Sequence, residues 1–579
     1  MTKTLLSGNE AIARGAYEAG VTVAAAYPGT PSTEILENIA EKYKDVIYAE
    51  WAPNEKVAFE VAAGAAFTGA RVLATMKHVG LNVAADPLMT LAYIGTVGGF
   101  VVVVADDPGM HSSQNEQDTR HFARFAKIPL LEPSDSQEAK DFVKLALQIS
   151  EDFNTPVILR STTRVSHSKS LVTELPRQES EKPINFVKDP PRFVPIPVWA
   201  RPMRARAEER MKKLRQYGEN SAVNKIVWQD KKLGIVTCGI AYQYVREVFP
   251  DASVLKLGMS FPFPDDLIRK FATGVETLLV VEELEDFLEE HIKALGIACS
   301  GKDLVPNIGE LSPDVLRKSV EKKESAPPPA LPFALPNRPP VLCPGCPHRG
   351  IFYALAQLDV VVAGDIGCYS LGVFPPLSRM DTCLCMGGGV SVAHGMDKAE
   401  RNNATPQKIV GMVGDSTFFH SGITGLLDIA YNKGSSTIIV VDNRITAMTG
   451  HQDHPGSGKT LMGEKTVKVS IEKIGKACGI KNVRTLHPRD IKTAVATLKE
   501  ATESSEPWLI VSEAPCPLHV RQPLGEPLSV AKGKCKNCNL CLKLGCPGLE
   551  KAGNQVRIND LLCAGCKMCQ NICPVKAIG

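Results

Sequence analysis

The sequence has no apolar run long enough to cross a bilayer: its longest, such as Val97 to Ala105, stop well short of the ~20 residues a spanning helix needs. Its first ten residues, MTKTLLSGNE, also lack the apolar core of a signal peptide, so a soluble, cytoplasmic protein is expected. Charge of one sign is missing too. Lys and Arg number 66 against 63 Asp and Glu, a net +3, which argues against a nucleic-acid surface or a polybasic membrane anchor. Cysteine, by contrast, is plentiful: 17 in a chain of this class point to metal or cluster ligation rather than disulfides. The 579 residues, 44% of them hydrophobic, suffice for three to five domains with sizeable cores.

Residues 1–180 alternate helical and strand-like runs (Asn9 to Ala19, Val21 to Tyr27, Glu55 to Phe67, Arg71 to Met76, Phe100 to Ala105, Pro156 to Ile158), the pattern of an open parallel α/β domain. Its crevice is expected beyond the carboxyl ends of the strands. Tyr27-Pro28-Gly29-Thr30-Pro31-Ser32-Thr33-Glu34 falls at such an end, and by residue type alone is a proline-rich turn with hydroxyl caps. The polar segment Asp106 to Arg120 reads as an active-site loop or a solvated one, with His111, Ser112, Ser113, Gln114 and Arg120 as unranked candidates for holding a substrate carboxylate. Residues 181–232 form a connector, proline-rich and then a charged helix from Arg204 to Arg215 expected to be a solvated spacer. Residues 233–324 return to α/β through Leu233 to Thr237, Ser253 to Leu257 and Thr277 to Glu283, where Glu282 and Glu283 read as local caps. A proline-rich linker at 325–340 leads to a second α/β domain at 341–520 and a cysteine-rich domain at 525–579.

In the second α/β domain an apolar run from Lys408 to Val413 breaks at Gly414-Asp415-Ser416. Ser421 is expected to cap a helix carrying Ile423, Leu426, Leu427 and Ala430 on one face, and a second run, Thr437 to Val441, ends at Asp442-Asn443. Strand, helix and strand within about 35 residues is the size of a βαβ unit, which places Asp415 and Asn443 on one sheet edge. A carboxylate, an amide oxygen and a nearby backbone carbonyl make a partial oxygen shell for magnesium; the plainer reading is a βαβ turn with Asp as helix cap. Gly458-Lys459-Thr460 is no P-loop ending, because Asp453 stands where the first glycine belongs.

Gly414-Asp415-Ser416, with Asn443 28 positions after the aspartate, resembles the diphosphate-magnesium motif of thiamine diphosphate enzymes. The resemblance implies Asp415 and Asn443 as side-chain ligands of magnesium, Ile445 as a backbone ligand, and Gly414, Ser416, Thr446 and Met448 as cofactor contacts. Asp365-Ile366-Gly367-Cys368-Tyr369 and Met386-Gly387-Gly388-Gly389 precede the motif in the order seen in those enzymes, which adds Cys368, Tyr369, Met386 and Gly387 to the implied cofactor site. The same enzymes need a carboxylate against N1′ of the aminopyrimidine. Glu55, opening an Ala/Gly-rich helix with Gly64 nine positions on, matches that pattern; Glu60 is the rival, and a simple helix-end acid the bland alternative. The segment around Thr30 is similar to the one lining the substrate site of 2-oxoacid:ferredoxin oxidoreductases, which implies a Thr30 hydroxyl near the substrate carbonyl.

Cys535-x2-Cys538-x2-Cys541-x4-Cys546-Pro547 is followed by Cys563-x2-Cys566-x2-Cys569-x3-Cys573-Pro574, the second run matching the bacterial two-cluster ferredoxin pattern. Three cysteines of one run and the last of the other then hold each 4Fe-4S cluster: Cys535, Cys538, Cys541 and Cys573 for one, Cys546, Cys563, Cys566 and Cys569 for the other. The four-residue gap before Cys546 departs from the pattern; zinc ribbons are the alternative. Cys343, Cys346, Cys368 and Cys516 are either separate buried thiols or, as in ferredoxin-coupled thiamine enzymes, the ligands of a third cluster. Cys238, Cys299, Cys383, Cys385 and Cys478 read as structural.

The order of pyrimidine-type domain, transketolase C-terminal-type domain, diphosphate-type domain and two-cluster α+β ferredoxin domain is similar, over nearly the whole chain, to the thiamine diphosphate-dependent 2-oxoacid:ferredoxin oxidoreductases. The resemblance implies two doubly wound parallel sheets and conversion of an aryl 2-oxo acid and coenzyme A to aryl-acetyl-CoA and carbon dioxide, with electrons leaving through iron-sulfur clusters to ferredoxin. No unassigned block is large enough for the family's γ-type domain, so a separate small subunit and a heteromer with two large chains are expected. Pyruvate or another 2-oxo acid as substrate, a non-oxidative decarboxylase or lyase, and a non-catalytic electron carrier on a degenerate scaffold are the rivals.

Overall fold

The computed structural model describes all residues except 1, 181–182, 324–332, 336–338, 401–402, 405–406 and 523. Most of the proline-rich linker expected at 325–340 thus lies outside the described residues. The chain divides into two compact units, Met1–Pro332 and Phe333–Gly579. No described helix is long and apolar enough to cross a membrane.

In the first unit, β-branched runs buried on both faces build a seven-stranded sheet in the order Met259–Phe261, Leu130–Leu131, Val157–Thr162, Phe100–Asp106, Val72–Lys77, Val23–Ala26, Tyr48–Trp51. All pairs are parallel except that of Met259–Phe261 with Leu130–Leu131. That antiparallel edge strand is lent by the neighbouring α/β layer, whose own four-stranded sheet runs Thr277–Val281, Asp230–Cys238, Ala252–Leu257, Asn224–Val227. Ser7 and Glu10 form a capping box at the start of helix Gly8–Glu18, and Asn54 Oδ1 accepts from Val57 N (2.9 Å) at the start of helix Glu55–Phe67, which buries Ala58, Ala62 and Ala66.

Two expectations change here. The charged helix spans Pro197–Asn220 and is no solvated spacer: Met203, Ala207, Leu214 and Gly218 are buried, and Arg210 donates to the Ala92 and Asn154 carbonyls. Its small and apolar residues recur at helical spacing among the charges, so one face packs while the other stays wet. Glu282 does cap a helix, accepting from Leu288 N and Glu289 N, but its carboxylate also pairs with Arg120 across the two α/β layers.

The second unit carries a six-stranded parallel sheet in the order Thr382–Cys383, Val361–Gly364, Ile409–Gly414, Thr437–Asp442, Trp508–Glu513, Asn482–Leu486. Strand Ile409–Gly414 passes into a helix at Asp415 with no loop; the helix makes a π turn at Phe418–Gly422 and continues as Ile423–Tyr431. Ser421 therefore lies inside the π turn and caps nothing: its Oγ donates to the Met386 carbonyl (2.8 Å). Beyond the sheet, two short helices, Leu540–Leu544 and Met568–Ile572, and a hairpin of Leu549–Ala552 with Gln555–Ile558 pack through Leu544, Met568 and Ile578 onto Tyr353 and Ile491.

Candidate active site

In the first unit the carboxyl edge of the sheet gathers Glu55, Thr30 and Lys77. Glu55 is 5% exposed and its carboxyl lies against Gly80, whereas Glu60 is exposed and paired with Lys56, so burial separates the two rivals. Gly64 meets nothing within 4 Å of where a Cβ would stand, so no close approach explains it. The turn before Thr30 is locked by Gly29 N donating to Thr33 Oγ1 (2.9 Å) and Ser32 Oγ donating to Gly29 O (2.8 Å). Lys77 ends strand Val72–Lys77, runs its methylenes beneath Gly29 and donates to the Ser112 carbonyl at 2.7 Å. Burial pushes its ammonium down to about 8, against the pull of Asp107 and Glu55.

The loop after strand Phe100–Asp106 is held by Asp107, which accepts from Ser112 N (2.8 Å), Ser113 Oγ (2.6 Å) and Thr163 Oγ1 (2.6 Å). Of the carboxylate-binding candidates there, Arg120 is ruled out. It is fully buried, bonded to Asp118, Glu282 and the Glu283 carbonyl, and stacked on Phe287, because an ion network between layers has claimed it. His111 faces Glu310 at 3.3 Å, Ser113 is bound to Asp107, and Ser112 and Gln114 are exposed.

In the second unit Asp415 and Asn443 stand at the carboxyl ends of the adjacent parallel strands Ile409–Gly414 and Thr437–Asp442, both buried. Burial pushes the Asp415 carboxyl up, yet the His454 ring, 3.2 Å away, draws it net below its usual range. The adjoining Asp442 is driven up to about 7, by burial first and by Asp415 second. Two carboxylates this close, one buried and one half-buried, call for a proton or a cation between them. Asn443 Oδ1 adds an amide oxygen, and Thr446 Oγ1 is buried with no hydrogen-bond partner. An all-oxygen donor set beside an orphaned hydroxyl fits magnesium and a phosphate-bearing cofactor. Opposite, Asp365 receives Gly387 N (3.0 Å) and Gly389 N (2.8 Å), fixing the glycine turn, and Tyr369 packs edge-on where a Gly414 side chain would be, with its hydroxyl on the Ile366 carbonyl (3.0 Å). Met448 is exposed. His348, buried near Asp415, is pushed down to about 4 by burial and stays neutral. Reading by residue pattern missed Lys77, Asp442 and His454; the only signal was a charged residue closing an apolar strand and a histidine in the loop after Asn443.

Twelve of the 17 cysteines fall into three groups of four. Cys343, Cys346, Cys368 and Cys516 lie within electrostatic reach of one another, burial raising Cys346 to about 12 and Cys368 to about 11. Cys516 N donates to the Asn443 carbonyl at 3.1 Å. Cys535, Cys538, Cys541 and Cys573 line one small cavity. Cys546, Cys563, Cys566 and Cys569 act on one another, Cys569 being raised to about 12 chiefly by burial. Among the described residues no group of three or more His, Cys, Asp or Glu is set at metal-ligating geometry, so the fit to clusters is one of donor type and grouping. Arg349, buried between the first and third groups, donates to the carbonyls of Leu342, Cys343 (3.3 Å), Leu544 (3.0 Å) and Gly545. Cys238 is buried, while Cys383 and Cys385 are exposed, contrary to a packing role for that pair.

Two family models match these regions: pyruvate flavodoxin/ferredoxin oxidoreductase, thiamine diphosphate-binding, over residues 14–221, and the thiamine pyrophosphate enzyme C-terminal binding domain over 365–512. The matched halves define a thiamine diphosphate-binding oxidoreductase. Full-length relatives narrow this further. The chain is 42% identical to indolepyruvate oxidoreductase subunit IorA of Methanothermobacter marburgensis, covering 100% of this chain and 97% of that one. The same-named proteins of Archaeoglobus fulgidus (40% identical; 100% and 97% covered) and Pyrococcus horikoshii (42%; 99% and 96%) match equally. The chain belongs to the family of indolepyruvate oxidoreductase subunits IorA.

Proposed function

We propose that the protein catalyses ArCH2COCOO⁻ + CoASH + 2 oxidised ferredoxin → ArCH2COSCoA + CO2 + 2 reduced ferredoxin + H⁺, with indolepyruvate as the preferred 2-oxo acid. The observation that carries this reading is the bond from Cys516 N to the Asn443 carbonyl: it ties a sulfur quartet directly to the edge that offers oxygens to magnesium. A non-oxidative lyase has no use for such a junction.

When bound, thiamine diphosphate supplies the electron sink for decarboxylation. The chain's own residues then have distinct tasks. Asp415, Asn443 and the Ile445 carbonyl offer oxygens to magnesium, and Thr446 with the Gly414–Ser416 turn borders the diphosphate. Asp365 keeps the Met386–Gly389 turn in place. Glu55 holds a buried carboxylate for N1′, and Thr30 presents a hydroxyl to the substrate carbonyl. Cys343, Cys346, Cys368 and Cys516 hold a first 4Fe-4S cluster, and the quartets of residues 525–579, a two-cluster ferredoxin-like domain, hold two more. Such quartets would supply one-electron acceptors, so a two-electron oxidation would require at least two successive transfers.

The relatives' designation as a subunit supports a heteromer; the partner in this reading is a smaller chain that helps to bind coenzyme A. Anaerobic copurification with that chain, followed by viologen reduction with indolepyruvate, phenylpyruvate or pyruvate, with and without coenzyme A, tests the reading. Coenzyme A-dependent viologen reduction, fastest with indolepyruvate, is expected; sustained turnover of the 2-oxo acid at an undiminished rate without any electron acceptor favours a non-oxidative lyase and refutes the reading.

A further inference from the structure

A cation, Lys77, sits in the first unit's crevice with no carboxylate in direct contact among the described residues. Lys77 is 9% exposed, and among the described residues no carboxylate lies within ion-pair distance of its Nζ. Of its three N–H donors one is spent, on the Ser112 carbonyl. Its methylenes lie 3.3 Å from where a Gly29 Cβ would be, which fixes the stem beside Thr30, and Asp107 and Glu55 act on the ammonium from the loop and from the helix Glu55–Phe67. The next residue, His78, gives Nε2 to the Asn115 carbonyl (3.1 Å) and leaves Nδ1 buried and unpartnered. Burying an ammonium with donors unfilled is costly unless an anion completes it.

Resting on the functional reading above, we infer that Lys77 is the seat of the substrate carboxylate: its ammonium, held by Ser112 and Gly29, receives the carboxylate of the 2-oxo acid while Thr30 faces the adjoining carbonyl. Arg120 is committed to Asp118 and Glu282, Arg160 to Asp106 and Glu132, and Arg164 to Glu310, so each already has its anion. The arrangement also explains why Gly29 carries no side chain: a Cβ there would press on the lysine stem and displace its head.

The test uses the complete complex with its partner subunit. Lys77→Met, close in volume to the lysine stem, should raise KM for indolepyruvate by about tenfold or more, whereas Lys77→Arg stays within about threefold of wild type. Indolepyruvamide, which has no carboxylate, should inhibit wild type and Lys77→Met with the same Ki, and both should retain thiamine diphosphate equally. An unchanged KM in Lys77→Met, or a matching loss for the amide, overturns the assignment. If Lys77→Met does not fold, wild type decides: kcat/KM for indolepyruvate should fall as pH rises through about 8 while the amide Ki stays flat, and a flat kcat/KM overturns the assignment. A complex that turns over no 2-oxo acid defeats the functional reading alone; indolepyruvate binding lost in Lys77→Met but kept in Lys77→Arg then still supports the seat, and no binding by wild type refutes it.

Discussion

A Cβ placed on Gly80 would stand 2.5 Å from Oε1 of Glu55 and 2.9 Å from its Cδ. Helix His78–Val83 thus forms the wall against which the Glu55 carboxyl is set. The colliding atoms are the far end of a flexible side chain, so Gly80→Ala should fold and yet swing the carboxylate aside. Turnover is expected to drop by about tenfold to a hundredfold with thiamine diphosphate still bound, as a ~1 Å misplacement of a reacting group does. Glu55→Gln, which keeps the position and removes the charge, should lose more. Steady-state viologen reduction together with cofactor content measures both, and normal turnover by Glu55→Gln would remove Glu55 from the site.

Asp415→Ala takes away the carboxylate that His454 and Asp442 share. It should abolish magnesium-dependent retention of thiamine diphosphate while far-UV circular dichroism stays native. Fluorescence titration of the cofactor with and without chelator reads this out. Retention equal to wild type would mean that another residue holds the metal.

Cys563→Ser alters the quartet of Cys546, Cys563, Cys566 and Cys569 and leaves the sheet edge untouched. Carbon dioxide release should persist with an artificial acceptor, and reduction of ferredoxin should fall at least about tenfold. Unimpaired ferredoxin reduction would show that electrons leave by another route.

Glu283 is buried, accepts from Leu311 N (3.1 Å) and is pushed up to about 7 by burial, against the pull of Arg160. Its folded value exceeds its unfolded one, so the folded state binds the extra proton and stability is lost as pH climbs from about 4.5 to about 7. Glu283→Gln removes that titration. Its urea midpoint should gain on wild type between pH 5.5 and pH 8, by an equivalent of up to ~2 kcal/mol. Parallel midpoints across the range would contradict the assignment.

Much of the α/β layering was legible because parallel strands buried on both faces must be apolar throughout: Phe100 to Ala105 is such a run, and strand Phe100–Asp106 lies inside the first sheet. The break at Gly414-Asp415-Ser416 was legible for a related reason, since an apolar strand that passes straight into a helix marks the change with a small residue and a helix-start acid. What escaped were long-range charge assignments. Arg120 looks like a surface cation in its polar segment, and nothing local announces that Glu282, 162 positions away, will bury it. Lys77 was passed over for the opposite reason, as the polar end of an apolar strand. The role given to Ser421 failed because a π turn leaves no trace in residue pattern, whereas a hydroxyl just before an apolar face looks like any cap.

The strand Met259–Phe261 completes a sheet whose other members all come from the first 162 residues. A gene fragment ending near residue 180 would therefore encode a layer with a bare β edge at Leu130–Leu131 and with Arg120 stripped of Glu282. Such a fragment invites strand-to-strand aggregation. The two α/β layers of the first unit thus share a strand and a buried ion pair, and a cut between them is expected to cost the solubility of both.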